Sequence, residues 1–172
     1  FVSPETIIRL AEQYGLIGEV SSKVLQHAIS IVQQFKAKAL NYAVAINLAG
    51  SDLLVNSFYN TLIDVATHQP ALLTQLTLEL TENSIISHKQ PLFDKIHALK
   101  KLGFSIALDD FGTGQASLSM LSKLPVDKIK LDRSFLKDIP HNPVQVRLVQ
   151  SVIQLAAALQ LKLVVEGVET DI

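Results

Sequence analysis

The chain contains no cysteine and no tryptophan, a single methionine, and only 6% aromatic residues. The missing cysteines exclude disulfides and thiolate metal sites and fit a reducing compartment, so a cytoplasmic location is expected. No apolar run reaches the roughly 18 residues of a membrane span, so this chain is expected to carry no membrane segment. The first residues show no signal-peptide pattern. A formal net charge of −1 gives no basic surface suited to gripping a DNA or RNA polymer. No repeat, low-complexity tract or linker divides the sequence.

What is present is aliphatic. The 172 residues are 48% hydrophobic with a mean hydropathy of +0.31, enough for one densely packed α/β domain. Ser3-Pro4-Glu5 predicts an N-cap and first turn, with Ile7, Ile8, Leu10 and Ala11 as the apolar face and Gly15 as a left-handed stop. A second helix is predicted over 17–39 from Val20, Val24, Leu25, Ala28, Ile31 and Val32. The period then changes to two: Val44, Ile46 and Leu48 alternate with Ala45 and Asn47 in a strand. Ser51 or Asp52 is expected to cap a third helix running through Phe58, Leu62 and Val65 to Pro70. Further strands are predicted at 75–81, 104–109, 127–131 and 161–166, with helices at 91–102, 118–124 and 144–159 between them. Strand and helix alternating over short connections imply parallel strands and right-handed crossovers.

In the first four strands the large aliphatics share one face, suited to packing on helices. The other face is small or polar and carries Asn47, Glu79, Asp109 and Lys130; the last strand ends in Glu166. In a (β/α) barrel that second face points inward and the C-terminal strand ends converge on one mouth. The expected fold is therefore α/β, a TIM-like barrel present as an arc of about five parallel strands with flanking helices. A doubly wound open sheet is the competing architecture.

The stretch 103–114, Gly-Phe-Ser-Ile-Ala-Leu-Asp-Asp-Phe-Gly-Thr-Gly, organises the rest. It reads as a buried strand delivering Asp109 and Asp110 into a glycine-rich turn. Adjacent carboxylates repel unless a proton or cation sits between them. Asn47, Glu79, Asp109 and Asp110 are all oxygen donors, a set suited to Mg²⁺ or Mn²⁺ rather than Zn²⁺. Two such ions sharing Asp109 could activate a water against a phosphodiester. Plainer readings stand beside this one: a capped turn for Asp109-Asp110, ordinary strand-end polarity for Asn47 and Glu79, and an edge position for Lys130. Buried between strands, Lys130 would need anionic partners. His27, His68, His88, His97 and His141 lack paired metal spacing and are expected at the surface. Arg133 and Lys137 could meet phosphate or simply be solvated.

Asp-Asp-Phe-Gly-Thr-Gly resembles the EAL-type cyclic-di-GMP phosphodiesterases of bacteria. So do Asn47-Leu48, Glu79-Leu80-Thr81-Glu82, Leu124-Pro125-Val126-Asp127, Lys130-Leu131-Asp132-Arg133-Ser134-Phe135 and Glu166-Gly167-Val168-Glu169-Thr170, in the family's order. The resemblance implies a barrel that opens cyclic-di-GMP to linear 5′-pGpG. It implies two Mg²⁺ or Mn²⁺ ions on Asn47, Glu79, Asp109 and Asp110, and substrate contacts from Asn47, Asp110 and Lys130. It further implies that Lys130 lies beside the nucleophilic water and that Glu166 organises the second ion. Glu82 would steady the loop 111–117, through which a homodimer contact is implied. Sensory or GGDEF-type domains are implied outside this chain.

The same resemblance places the family's Glu-x-Leu strand before Phe1 and its last strand after Ile172. The chain is therefore expected to be part of one barrel domain over 1–172, inactive by itself. Gln115 and Ala116 stand where the family more often has Tyr-Ser, and Val165 stands for an alanine; Glu169 carries no separable signal. A receptor that binds cyclic-di-GMP without cleaving it is the alternative function, and a purely structural interaction domain a more distant one.

Overall fold

The computed structural model describes residues 2–113, 118–137 and 139–168. Five parallel strands lie side by side in chain order: β1 (Val44–Leu48), β2 (Leu76–Thr81), β3 (Ser105–Phe111), β4 (Lys128–Leu131) and β5 (Lys162–Val165). A doubly wound sheet reverses its strand order at a switch point, whereas this order advances one neighbour at a time, as in a barrel wall. Lys130 consequently sits on an inner strand, flanked on both sides, and the edge reading falls away.

The aliphatic face of the sheet packs as the alternation predicts. Ile46, Leu48, Leu76, Leu78, Leu80, Ile106, Leu108 and Ile129 are buried in one core with helices α2 (Ile17–Ala37), α4 (Asn56–His68) and α5 (Glu82–Leu102), and Leu131 is buried as well. Leu25, Ala28 and Val32 of α2, Phe58 and Leu62 of α4, and Leu92, Ile96 and Leu99 of α5 form the other half of this core. Each fully buried aliphatic contributes about 2 kcal/mol of transfer free energy, so this layer fixes the register of the strands.

Three helix readings need correction. The predicted third helix is two, α3 (Gly50–Leu54) and α4, separated by an extended Val55. Neither Ser51 nor Asp52 is the N-cap: Ala49 holds that position, and Asp52 inside the first turn accepts the Ala49 N–H at 2.8 Å. The helix expected from Pro91 begins nine residues earlier, at Glu82, with Thr81 accepting the Ser84 N–H as its cap. Pro91 is tolerated inside it because Ile85, Leu92 and Ile96 on the same helix are anchored in the core. In α1 (Pro4–Gln13) the Ser3 cap and the left-handed Gly15 are as expected, but Ile7, Ile8 and Leu10 are exposed and only Ala11 is buried. Of the remaining helices, α7 (Pro143–Ala158) matches its predicted position, and α6 (Leu118–Leu121) starts where predicted but ends three residues early. Among the described residues no helix is long and apolar enough to cross a membrane.

Candidate functional site

Parallel pairing carries the inward-facing polar residues to one end of the sheet. Asn47 of β1 is in register with Glu79 of β2, and Thr81 of β2 with Asp109 of β3. β4 contributes Lys130, and Glu166 follows β5, where its N–H extends the ladder by donating to Leu131 O at 3.2 Å. Asn47 is exposed at the rim of a cleft of about 470 Å³ that runs between α1, α2 and the end of β1.

Lys130 is the centre of the cluster. Its Nζ donates to Glu79 Oε2 at 2.9 Å, Asp109 Oδ2 at 2.9 Å and Glu166 Oε1 at 2.8 Å, and its side chain is only 15% exposed. Burial alone pulls the ammonium's pKa down. The hydrogen-bonded carboxylates of Glu166, Glu79 and Asp109 outweigh that and hold it above the ordinary lysine range. The buried lysine has thus found the anionic partners that its place in the sequence demands.

Asp110 joins the same end by a local irregularity. Successive strand residues face opposite ways, so in a regular strand Asp110 would turn its back on Asp109. Instead the β3–β4 register shifts between Leu108 and Phe111, and Asp110 takes a left-handed φ of 53°. Such a bulge re-aims side chains at the end of a strand. The turn is closed by the Asp110 N–H donating to Asp109 Oδ1 at 2.9 Å and by the Thr113 hydroxyl donating to Asp110 O at 2.9 Å. Desolvation pushes the Asp110 carboxyl up, and the charges of Asp109, Asp132 and Glu166 push it further, against a smaller lowering pull from Lys130.

Glu82, at the start of α5 and 1% exposed, accepts the Gly112 N–H on Oε2 at 2.9 Å. It ties the acidic turn to α5; Gly114, Gln115, Ala116 and Ser117 of the same loop, and Glu169, lie outside the described residues. His27, His68, His97 and His141 are exposed, as are Arg133 and Lys137.

Three carboxylates, Glu79, Asp109 and Glu166, therefore hold one ammonium, and the Asp110 carboxyl lies close enough to feel the charges of Asp109, Glu166 and Lys130. Among the described residues no three acidic, histidine or cysteine side chains stand as a ready metal cage, and the Lys130 Nζ bonds to three of the acids. The donor set nevertheless fits a hard divalent cation. All donors are oxygen, negative charge exceeds positive, and Asp110 is held partly out of water among like charges.

Sequence reasoning missed several residues around this centre. Asp132 caps the 3-10 helix Arg133–Leu136 by accepting the Ser134 N–H and adds its charge to the surroundings of Asp110. The Lys-x-Asp spacing of Lys130-Leu131-Asp132 was the available signal. Asp127 accepts the Ile106 N–H at 2.8 Å and pairs with Lys100, fastening the starts of β3 and β4 to α5. Below Lys130, Lys128 donates to Thr77 Oγ1 at 3.1 Å in a second polar layer.

Comparison with known proteins bears on the fold and the family. The cyclic di-GMP phosphodiesterase PA2567 of Pseudomonas aeruginosa is 36% identical over 170 residues, covering 99% of this chain and 29% of that protein. The cyclic di-GMP phosphodiesterase PdeR of Escherichia coli is 34% identical over 169 residues, covering 98% of this chain and 26% of that protein. The chain thus spans less than a third of these relatives' lengths. Among solved structures, the PaMucR phosphodiesterase in complex with c-di-GMP superposes with a TM-score of 0.88 at 29% identity, over 99% of this chain and 74% of that one. The EAL domain of Mycobacterium smegmatis DcpA gives a TM-score of 0.78 at 34% identity, over 90% of this chain and 70% of that one. The Xanthomonas citri FimX EAL domain shares the fold, at a TM-score of 0.88 and 18% identity, over 99% of this chain and 68% of that one. The EAL domain family model matches residues 1–172 from end to end, and the chain belongs to that family.

Proposed function

We propose that this chain supplies the catalytic face of a metal-dependent phosphodiesterase that opens cyclic-di-GMP to linear 5′-pGpG. The carrying observation is the half-buried knot in which Glu79, Asp109 and Glu166 hold Lys130 protonated beside Asp110. Asn47, Glu79, Asp109 and Asp110 would hold Mg²⁺ or Mn²⁺, two ions in a complete site, and the bound ions would supply an activated water and a clamp on the phosphate.

The chain's own residues have separable tasks. Lys130, firmly cationic, meets negative charge growing on the phosphoryl oxygens as water attacks phosphorus and the P–O3′ bond breaks. Glu166 orients that ammonium from the β5 side and takes part in ordering the water. Asn47, Asp110 and Lys130 contact the substrate. Glu82 steadies the acidic turn through the Gly112 N–H. We further read the protein as cytoplasmic, with a second copy meeting it through the Asp-Asp-Phe-Gly-Thr-Gly loop and with sensory or GGDEF-type domains attached elsewhere.

The test is hydrolysis of cyclic-di-GMP by the full-length protein carrying this chain, followed with Mg²⁺, with Mn²⁺ and after exhaustive chelation. Turnover that depends on either ion, giving 5′-pGpG, is expected. Full activity after chelation would overturn the metal reading, and tight binding without cleavage would make the protein a receptor.

A further inference from the structure

One short turn touches both acid-bearing loops. The 3-10 helix Arg133–Leu136 begins three residues after Lys130 and lies between the turn at Gly112 and the turn at Gly167. Both glycines have left-handed backbones, with φ of 94° and 75°. Both also press directly on this helix. A β-carbon on Gly112 would lie 2.5 Å from the Phe135 ring Cζ, and one on Gly167 would lie 2.7 Å from Arg133 Cβ. Real carbon contacts are not that close, so each loop is seated against the helix with no room for a side chain between them. Gly112 follows Asp109 and Asp110, and Gly167 follows Glu166.

The helix itself is pinned from two further directions. Asp132 accepts the Ser134 N–H on Oδ1 at 2.9 Å at its start. From α7, the Gln145 Nε2 donates to Phe135 O at 3.0 Å. Gln145 thus ties α7 to the backbone of this helix. The Phe135 ring is half-buried, and Asn142 caps α7 just before Gln145 by accepting the Val144 N–H at 3.1 Å.

We propose that this helix is a brace which sets the spacing between the Asp109-Asp110 turn and Glu166, with Phe135 and Gln145 as positioning residues for phosphodiester cleavage. The catalytic part of this inference rests on the reading given under Proposed function; the mechanical part does not. Lys130 bonds to Asp109 on one side and Glu166 on the other, so three-point contact requires both loops to stay at fixed separation. The brace supplies that constraint from outside the cluster, through packing rather than charge. Its failure would leave every ionisable group in place but misaligned, an error that lowers turnover more than binding.

The experiment uses the full-length protein carrying this chain, with Phe135→Ala, Phe135→Leu and Gln145→Ala. Amide hydrogen exchange is read at residues 110–113 and 166–168 and, as a reference, along β2. Phe135→Ala should accelerate exchange at both loops together, by about tenfold, while β2 is unchanged. Its kcat on cyclic-di-GMP should fall about tenfold with KM within about threefold, and Phe135→Leu should recover most of that loss. Gln145→Ala should reproduce the effect in weaker form at both loops. Faster exchange confined to 110–113, or a folded Phe135→Ala variant with unchanged kcat, would overturn the brace. Should Phe135→Ala unfold throughout, the same readings on Phe135→Leu and Gln145→Ala decide the matter. If the unsubstituted protein fails to cleave cyclic-di-GMP, the functional reading falls and the exchange pattern alone judges the brace.

Discussion

Around β2, β3 and β4 every outward aliphatic is closed off from water, while on α1, α7 and β5 residues of the same kind stay open. Leu78, Ile106, Ile129 and Phe58 are 0% exposed; Ile8, Leu148 and Ile153 are 45–49% exposed, and Val164, in register with Lys130 on the inward face of β5, is 41% exposed. Both regions carry apolar residues at regular helical or strand spacing. The pattern selects which face seeks burial, but only a packed neighbour delivers it. The chemistry sits where neighbours exist on both sides: Lys130 reaches carboxylates from β2, β3 and the end of β5 because β4 is an inner strand.

Four changes break or sharpen this contrast, the largest first. Leu78→Ala removes a fully buried side chain from the centre of the sheet and should cost about 3 kcal/mol, seen as a lowered midpoint in thermal or urea unfolding. A loss below 1 kcal/mol would mean that the central layer is far looser than its burial implies.

Lys130→Ala should lower kcat on cyclic-di-GMP by about 10² while weakening binding much less, since the ammonium acts on charge developing in the transition state. Near-normal turnover with poor affinity would demote Lys130 to a binding residue. The variant should also be less stable at low ionic strength, because Glu79, Asp109 and Glu166 then face one another without the ammonium.

Asp52 tests the boundary between the two regions. It is 2% exposed, its Oδ2 accepts the Ala49 N–H, and its Oδ1 has no hydrogen-bond partner in the structure. Desolvation pushes its pKa up from 3.8, against lowering contributions from Ala49 and Ser21. A carboxyl raised by folding favours the protonated native state, so its cost to stability is absent below about the unfolded pKa and grows as pH rises through the folded one. Asp52→Asn keeps an acceptor for Ala49 and sheds the charge; it should stabilise the protein by on the order of 1 kcal/mol at pH 7 and by almost nothing near pH 3. Equal effects at both pH values would show that ionisation of Asp52 is not the source.

Leu148→Gln on the open face of α7 should change stability by no more than about 0.5 kcal/mol, because a side chain that is 46% exposed loses little on becoming polar. A loss near that of Leu78→Ala would show that this face is covered in solution.

Much of the candidate site was legible before the fold. Asn47, Glu79, Asp109, Lys130 and Glu166 could be assigned to one end of one face because strand alternation has a period of two and parallel strands all end on the same side. Asp110 was legible as a carboxylate but not in its direction, which depends on the bulge and left-handed turn at that residue. Phe135 stood at the end of a family-like motif with no role attached, and Gln145 carried no signal: their contacts are with residues 10 to 23 positions away, and spacing along the chain does not encode such contacts. The helix boundaries failed for a related reason. Pro91 reads as a helix start, yet core anchoring on both sides carries α5 through it, and the break at Val55 leaves no Gly or Pro to mark it.

By itself the sequence determined the periods, and through them the strands, the apolar face and the acids at the strand ends, because local stereochemistry decides on which side of a strand each residue emerges. Only the tertiary structure decided how Lys130 is shared among three carboxylates, how the backbone turns at Asp110, and which apolar faces are closed. Those depend on distances between segments far apart in the chain, and such distances are set by packing rather than by the identity of any one residue.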